Sequence, residues 1–323
     1  MTTINGTNAL TIIERSKRLN PDGKPAPIID VLSQDNPLLL DAPWVEANGQ
    51  MQHNTTRVMS KPTGSFRAFN QGVANTAGRT VKIVENLAML EDYALVDQAL
   101  ADMNPNKNEF IDQENVLHVS GLSENWASKM FYGNETLTPT EFTGLAPRLN
   151  ALAAKRVIGA GGTGSDCTSI YLVQWDIARG VHMVYPQGHP NMGVTSNFMG
   201  VHTVQDSDGN SYEAYRTHFK IYGGMVVRDE RAIKRLANIE SSGSSNTFDD
   251  DKLLTLLNAF PHNKKGVVIY CNDTVLTQMD IMAKDKNNVN YSTRNVFGED
   301  LTHFRGVPVR TCDAILDTES AIS

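Results

Sequence analysis

The stretch Asn108–Gly133, NEFIDQENVLHVSGLSENWASKMFYG, most constrains what this chain can fold into. Val119, Leu122, Trp126 and Met130 recur at steps of three, four and four, the spacing of one face of an α-helix. Acidic and amide residues crowd its first turns (Glu109, Asp112, Gln113, Glu114), where negative charge complements the positive end of the helix dipole. Lys129 falls in the last turn, Gly133 supplies a C-terminal cap and Pro139 follows. Gly121 costs such a helix about 1 kcal/mol relative to alanine. Packing must therefore hold the helix together, and Gly121 is a candidate bend.

Ahead of the helix the chain reads differently. Residues 1–48 carry scattered turn signals and short apolar patches without periodicity, so they cannot build a core of their own. They read as an arm lying on something else. Residues 50–88 read as hairpin strands, Gln52–Val58 and Thr80–Leu87, around a long polar loop with a short strand at Ser65–Phe69. Few large apolar residues occur there, so the hairpin projects from the body, and an isolated hairpin is marginal in water. Leu87–Met103 is expected to be helical, with Leu90, Ala94, Val96 and Leu100 near helical spacing.

Beyond the helix, Pro139–Pro147 is a turn-rich connection and Leu149–Ile158 a short helix or irregular segment. The run Gly159–Gly164, GAGGTG, satisfies GxGxxG literally. A dinucleotide site needs a helix after it, and the following TSIYLVQWD is a strand by composition, so a flexible loop is expected. Thr168–Val227 is β-rich, with turns at Asp176–Gly180 and Asp206–Asn210 and a long strand or hairpin over Glu213–Val227. Arg228–Ile239 is expected to be a basic amphipathic helix carrying Arg228, Arg231, Lys234 and Arg235, either a solvated face or a set of electrostatic contacts. After a Ser/Gly/Asp-rich linker come a helix at Lys252–Phe260, a buried strand at Gly266–Tyr270, a helix at Asp273–Lys284 capped by Asp273, and a strand at Gly306–Asp313. These last elements read as a separate α/β unit.

Chemistry is sparse. The 323 residues carry a formal net charge of -7, against a general nucleic-acid binder. Three dispersed cysteines form neither a disulfide framework nor a zinc signature, which fits an intracellular folding environment. The N-terminal residues lack a signal-peptide core, and no apolar run is long enough to span a membrane. Cys271 with Asp273 and His303 is the one conceivable nucleophilic grouping, weighed against a buried cysteine at a strand end. His182, His189, His218 and His303 are too dispersed for a helical zinc site. Asp249, Asp250 and Asp251 read as solvated or as a helix start. No catalytic residue, cofactor or metal is expected.

Several blocks, in this order along the chain, resemble the major capsid proteins of tailed double-stranded DNA bacteriophages, the short-tailed-phage type in particular. They are ERSKRLNPDGKPAPIIDVLSQDNPLL near the N-terminus, TVKIVENLAMLEDYALVDQALADM at Thr80–Met103, MFYGNETLTPTEFTGLAPRLN at Met130–Asn150, TSIYLVQWDIARGVHMVYPQG at Thr168–Gly188, YEAYRTHFKIYGGMVVRDERAIKRLANI at Tyr212–Ile239 and FRGVPVRTCDAIL at Phe304–Leu316. The resemblance implies an α+β, HK97-like fold. Its expected parts are an N-terminal arm (1–48), a projecting E-loop hairpin (49–88), a peripheral domain with a long β-sheet and a spine helix (89–240, spine about 108–132), and an α/β axial domain (241–323).

What it implies functionally is a structural protein of the virion, not an enzyme, self-assembling into pentamers and hexamers of an icosahedral shell around double-stranded DNA held non-specifically. Scaffolding, portal and decoration proteins are the further partners implied; no membrane is. On this reading the stripe Val119–Met130 packs on the subunit's own sheet. Leu38, Leu39, Leu40 and Trp44 of the arm, and Phe66, Arg67, Phe69 and Val73 of the hairpin, are candidate contacts between subunits. A Cys271/His303 hydrolase and a non-capsid oligomeric binding module are the alternatives.

Overall fold

The computed structural model describes residues 36–104, 106–188, 193–243, 245–261, 264–283, 291–296 and 299–323. Most of the expected arm, residues 1–35, and His189 lie outside them. The chain begins with a short helix α1 (Leu38–Asp41) and strands β1 (Trp44–Glu46), β2 (Gln52–Ser60), β3 (Arg79–Asn86) and β4 (Ala88–Asp97). Helices α2 (Gln98–Asp102), α3 (Lys107–Tyr132) and α4 (Leu145–Arg148) follow. Next come β5 (Val157–Gly159), β6 (Cys167–Gln174), β7 (Val181–Tyr185), β8 (Val194–Gln205), β9 (Ser211–Val227) and β10 (Ile233–Glu240). The C-terminal part comprises α5 (Asp250–Asn258), β11 (Val267–Cys271), α6 (Asp273–Ala283), β12 (Tyr291–Val296), β13 (Glu299–Phe304) and β14 (Val307–Thr311).

The expected spine helix is α3. Leu122, Trp126, Ala127, Met130 and Phe131 are buried, and Val119 packs with Leu122 against Ala94 and Phe219 of the sheet beneath. The helix runs without interruption through Gly121. At its end, Gly133 donates its N–H to the Lys129 carbonyl at 2.9 Å with φ -52°, so the glycine is not used for a left-handed turn. A side chain there would stand 2.5 Å from the Phe142 carbonyl oxygen, and that close approach requires glycine.

The sheet under α3 has the order β1-β7-β9-β4, with β8 also paired to β9. Residues 88–97 are therefore strand rather than the expected helix, and only Gln98–Asp102 is helical, capped by the Asp97 carboxylate. Ala88, Leu90, Ala94 and Val96 share the inner face at alternate positions, while Met89 and Tyr93 face out. A ladder to β9 running from Ala88↔Gly223 to Asp97↔Ala214 outweighs local helical propensity.

A second sheet has the order β12-β13-β14-β11-β6-β10-β5. Its strand β6, between β11 and β10, is buried throughout and divides the interior. Tyr171 and Val173 join the core under α3 with Trp126, Met130 and Phe131, whereas Ile170 and Leu172 join Leu253, Leu256, Leu257, Val275 and Met279 of α5 and α6. Residues 233–240 form strand β10 between β5 and β6, preceded by the 3-10 turn Glu230–Ala232, where a basic helix was expected. A strand covered on both faces has no polar side, so its apolar spacing does not separate it from a helix. This sheet also crosses residue 240: β6, on the N-terminal side, is laddered to β11 after it and to β10 on its other edge. The α/β elements are thus not separate from the preceding β-rich block. Helix α6 is capped by Asn272, whose Oδ1 accepts from Val275 N at 3.0 Å, rather than by Asp273.

The C-terminal residues return across both layers. Glu319 pairs with Cys167 through its backbone, and its buried carboxylate accepts from Tyr132 Oη at 2.7 Å, Tyr171 Oη at 3.1 Å, Arg235 Nη2 at 3.0 Å and Ser169 Oγ. Arg235 also donates to the Leu149 carbonyl at 2.9 Å. Breaking one side of a buried ion pair costs about 3–5 kcal/mol because the other charge is stranded. Glu319→Ala is expected to lower the unfolding free energy of the free subunit by about that amount in urea titrations; a loss below about 1 kcal/mol would show that the network does not hold the layers.

Candidate functional site

Strands β2 and β3 form a two-stranded ribbon with no third strand among the described residues, paired from Gln52↔Asn86 to Ser60↔Arg79 with a register shift between Val58 and Ser60. The loop 61–78 is exposed throughout, and the segment Ser65–Phe69, expected as a strand, has no ladder partner among the described residues. Phe66 and Phe69 are 110% and 99% exposed and Val73 46%. Arg67 makes one local bond, donating to the Gln71 carbonyl at 3.0 Å. The ribbon lacks the large inward residues that would let it cover its own aromatic tip.

The ribbon's root, by contrast, is clamped. Arg57 donates to the carbonyls of Arg228 and Val227 at 3.0 and 3.1 Å and to Glu230 at 2.7 Å. On the other strand, buried Glu85 takes a two-pronged bond from Arg148 at 2.9 and 2.6 Å, and Arg148 also donates to the Thr143 carbonyl. Asn48 and Asn54 exchange two 2.7 Å bonds, and His53 Nδ1 accepts from Asn48 N at 3.3 Å. His53 meets the buried ring of His182 edge-on at 5.9 Å. Both His182 nitrogens lack a hydrogen-bond partner among the described residues. Burial, then the Arg228 charge and His53, push the His182 pKa down to about 4. Sequence reasoning missed Arg57, Glu85 and Arg148, because their partners are distant in the chain and no local pattern marks them.

The expected arm contacts divide. Leu38 is fully buried in the main core and Leu39 packs on it, whereas Leu40 is 88% exposed. Trp44 is half-buried against the same core, and β1 pairs in parallel with β7. Asp41 binds Arg310 at 3.1 Å and accepts from Tyr270 Oη at 2.6 Å. Leu38, Leu39 and Trp44 therefore serve inside the subunit, and Leu40 alone of these four presents an open apolar side chain.

The expected basic face dissolves in the same way. Lys234 is buried, donates from Nζ to the Lys155 carbonyl at 2.5 Å and lies 5.0 Å from the Phe260 ring centroid. Arg235 is consumed by Glu319, and Arg231 holds the Asp229 carboxylate at 2.7 Å. Of these four residues, Arg228 is the one whose guanidinium has no ion pair among the described residues.

Nothing among the described residues assembles a nucleophile. Cys271 is fully buried, and burial, then Asp273 and Cys312, push its thiol up to about 12, so the reactive thiolate is suppressed. The GAGGTG run ends β5 and is pinned rather than flexible: Ala160 N and Gly162 N donate to the carbonyls of Ala237 and Asn238, and Ala321 N to that of Gly164. Asp249 opens α5, accepting from Asp251 N at 3.0 Å and Lys252 N at 3.4 Å. No described helix is long and apolar enough to cross a membrane.

The structure of bacteriophage Epsilon15 aligns with a TM-score of 0.76 at 28% identity, covering 98% of this chain and 98% of that one. The holo-SrpI encapsulin complex of Synechococcus elongatus aligns at 0.48 and 13% identity, covering 75% of this chain and 99% of that one. The bacteriophage JBD30 capsid aligns at 0.47 and 9% identity, covering 87% of this chain and 92% of that one. The sequence finds no match among curated proteins. An α+β body with a projecting ribbon and a spine helix on a long sheet, aligned end to end with the Epsilon15 chain, defines an HK97-like capsid protein. Residues 20–323 match the model of the major capsid protein GP7, and the chain belongs to that family. It is a structural, non-enzymatic subunit of a tailed phage's icosahedral shell, located in the virion.

Neutral His182 beside Arg228 has a consequence for pH. The unfolded imidazole takes its proton near 6.5 and the folded one only near 4. Stability from this group is complete above pH 6.5 and is lost as pH falls towards 4. His182→Gln is expected to lose less stability than the wild type between pH 7 and pH 5 in urea titrations of the free subunit; an equal loss would contradict it.

Proposed function

We propose that the ribbon β2–β3 is the overlap device of the shell: its tip lies across a neighbouring copy and buries Phe66 and Phe69 there. The observation that carries this is the full exposure of both rings on a ribbon whose own apolar residues, Val58, Met59, Val81 and Val84, are left exposed as well. Burying a phenylalanine side chain is worth about 1.5–3 kcal/mol, and an icosahedral shell repeats that contact at every subunit. Arg67 and Val73 border the same surface, and Leu40 with residues 1–35 supplies the arm's share.

On this reading the subunits gather as hexamers and pentamers. The sheet under α3 forms the peripheral domain, and the sheet containing β6, with α5 and α6, forms the axial domain. Scaffolding, portal and decoration proteins are the further partners the family resemblance supplies, with the double-stranded genome held non-specifically.

Replacing Lys61–Gly78 by Asn-Gly shortens the ribbon to a two-residue hairpin without touching its clamped root. The variant is expected to keep the wild-type urea midpoint and to sediment as free subunits or small oligomers. Closed particles of normal size in negative stain would remove the ribbon from this role.

A further inference from the structure

The turn between β6 and β7 brings Arg179 to the ribbon's root. Ala178 N donates to the Asp176 carboxylate at 2.8 Å and Gly180 N to the Asp176 carbonyl at 3.0 Å. A side chain at Gly180 would strike the Gln174 carbonyl, so the turn admits only glycine there. Arg228 N donates to the Gly180 carbonyl at 3.1 Å, fastening the turn to the end of β9. Thr55, Thr56 and Arg57 of β2 stand opposite, and the open cleft of about 240 Å³ is lined by Arg57, Arg179 and Arg228 and by the Asp229 carboxylate.

The charges around this cavity do not cancel. Asp229 is held by Arg231, and Glu230 is shared between Arg57 and Arg156 at 2.7 Å each. Arg179 is exposed, and neither it nor Arg228 has an ion pair among the described residues. Arg228 Nε and Thr55 Oγ1 are buried without a hydrogen-bond partner among the described residues. Three guanidinium groups lining one small cleft are matched to a carboxylate or similar oxyanion.

We propose that this cavity is a carboxylate-binding site, filled in the shell by an Asp or Glu side chain of a neighbouring copy of this chain. The proposal rests on the overlap of copies at the ribbon. The chain carries 36 acidic residues against 29 Lys and Arg, so a neighbour presents carboxylates in excess. A nucleic-acid backbone, by contrast, is held by a rank of free cations, and Arg57, Arg156 and Arg231 beside the cavity are already paired.

The test uses empty shells assembled from a mixture of 15N-labelled and unlabelled Arg179→Lys protein, verified by negative stain and treated with a carbodiimide. Mass spectrometry is expected to find an amide between position 179 and an Asp or Glu peptide of the other isotopic type. Cross-links confined to one copy, such as to Asp176 or Asp229, or no cross-link in intact shells, overturn the proposal. The Arg179→Glu variant, altered at an exposed turn, is expected to lower the yield of empty shells severalfold. Wild-type yield of empty shells with reduced DNA retention would assign the cavity to phosphate and overturn the proposal as well. Because cross-links are read in shells already seen to close, a failure here is distinct from a failure of the ribbon to support assembly.

Discussion

The buried carboxylate of Glu319 is the interaction on which the two layers depend. It receives hydrogen bonds from the last turn of α3 through Tyr132, from β6 through Ser169 and Tyr171, and from β10 through Arg235. Taking that charge out of water is costly, and only a complete set of donors offsets the cost. Completeness also makes the arrangement specific, because displacing any of these elements strands a charge. The spine helix, strand β6 of the second sheet and the C-terminal residues are thereby held in one geometry.

That fixed body gives the ribbon its meaning. Clamped at its root by Arg57 and by Arg148–Glu85, it leaves the body in a defined direction while its tip has nothing beneath it. The clamps are polar and local, whereas the tip is apolar and open. Such a division suits a subunit that must be rigid alone and sticky only towards its own kind. The net charge of -7 keeps free copies apart at long range, so short-range apolar burial and matched ion pairs decide where they meet.

Much of this was legible in the sequence where a one-sided pattern exists. Helix α3 has a wet face and a dry one, and its stripe at Val119, Leu122, Trp126 and Met130 places it to within a residue or two. The ribbon could be read from its poverty in apolar residues. Misreadings fall where burial is two-sided or where the ladder partner is remote. Residues 88–97 become strand because β9, more than a hundred residues later, supplies their ladder. Ile233–Glu240 has the composition of an amphipathic basic helix, yet Lys234 and Arg235 are buried cations whose partners, the Lys155 carbonyl and Glu319, lie about eighty residues away. Leu38 and Trp44 looked like open anchors because the surface they cover, between β7, β9 and α3, exists only after folding.

The central claim is that the subunit's uncovered ribbon tip is completed by a neighbouring copy. Hydroxyl-radical footprinting of Phe66 and Phe69, read by mass spectrometry on the free subunit and on closed shells, tests it most directly. Strong oxidation of both rings in the free subunit and marked protection in the shell is the expected result. Equal oxidation in both states would mean that the tip stays in water, and would contradict the account.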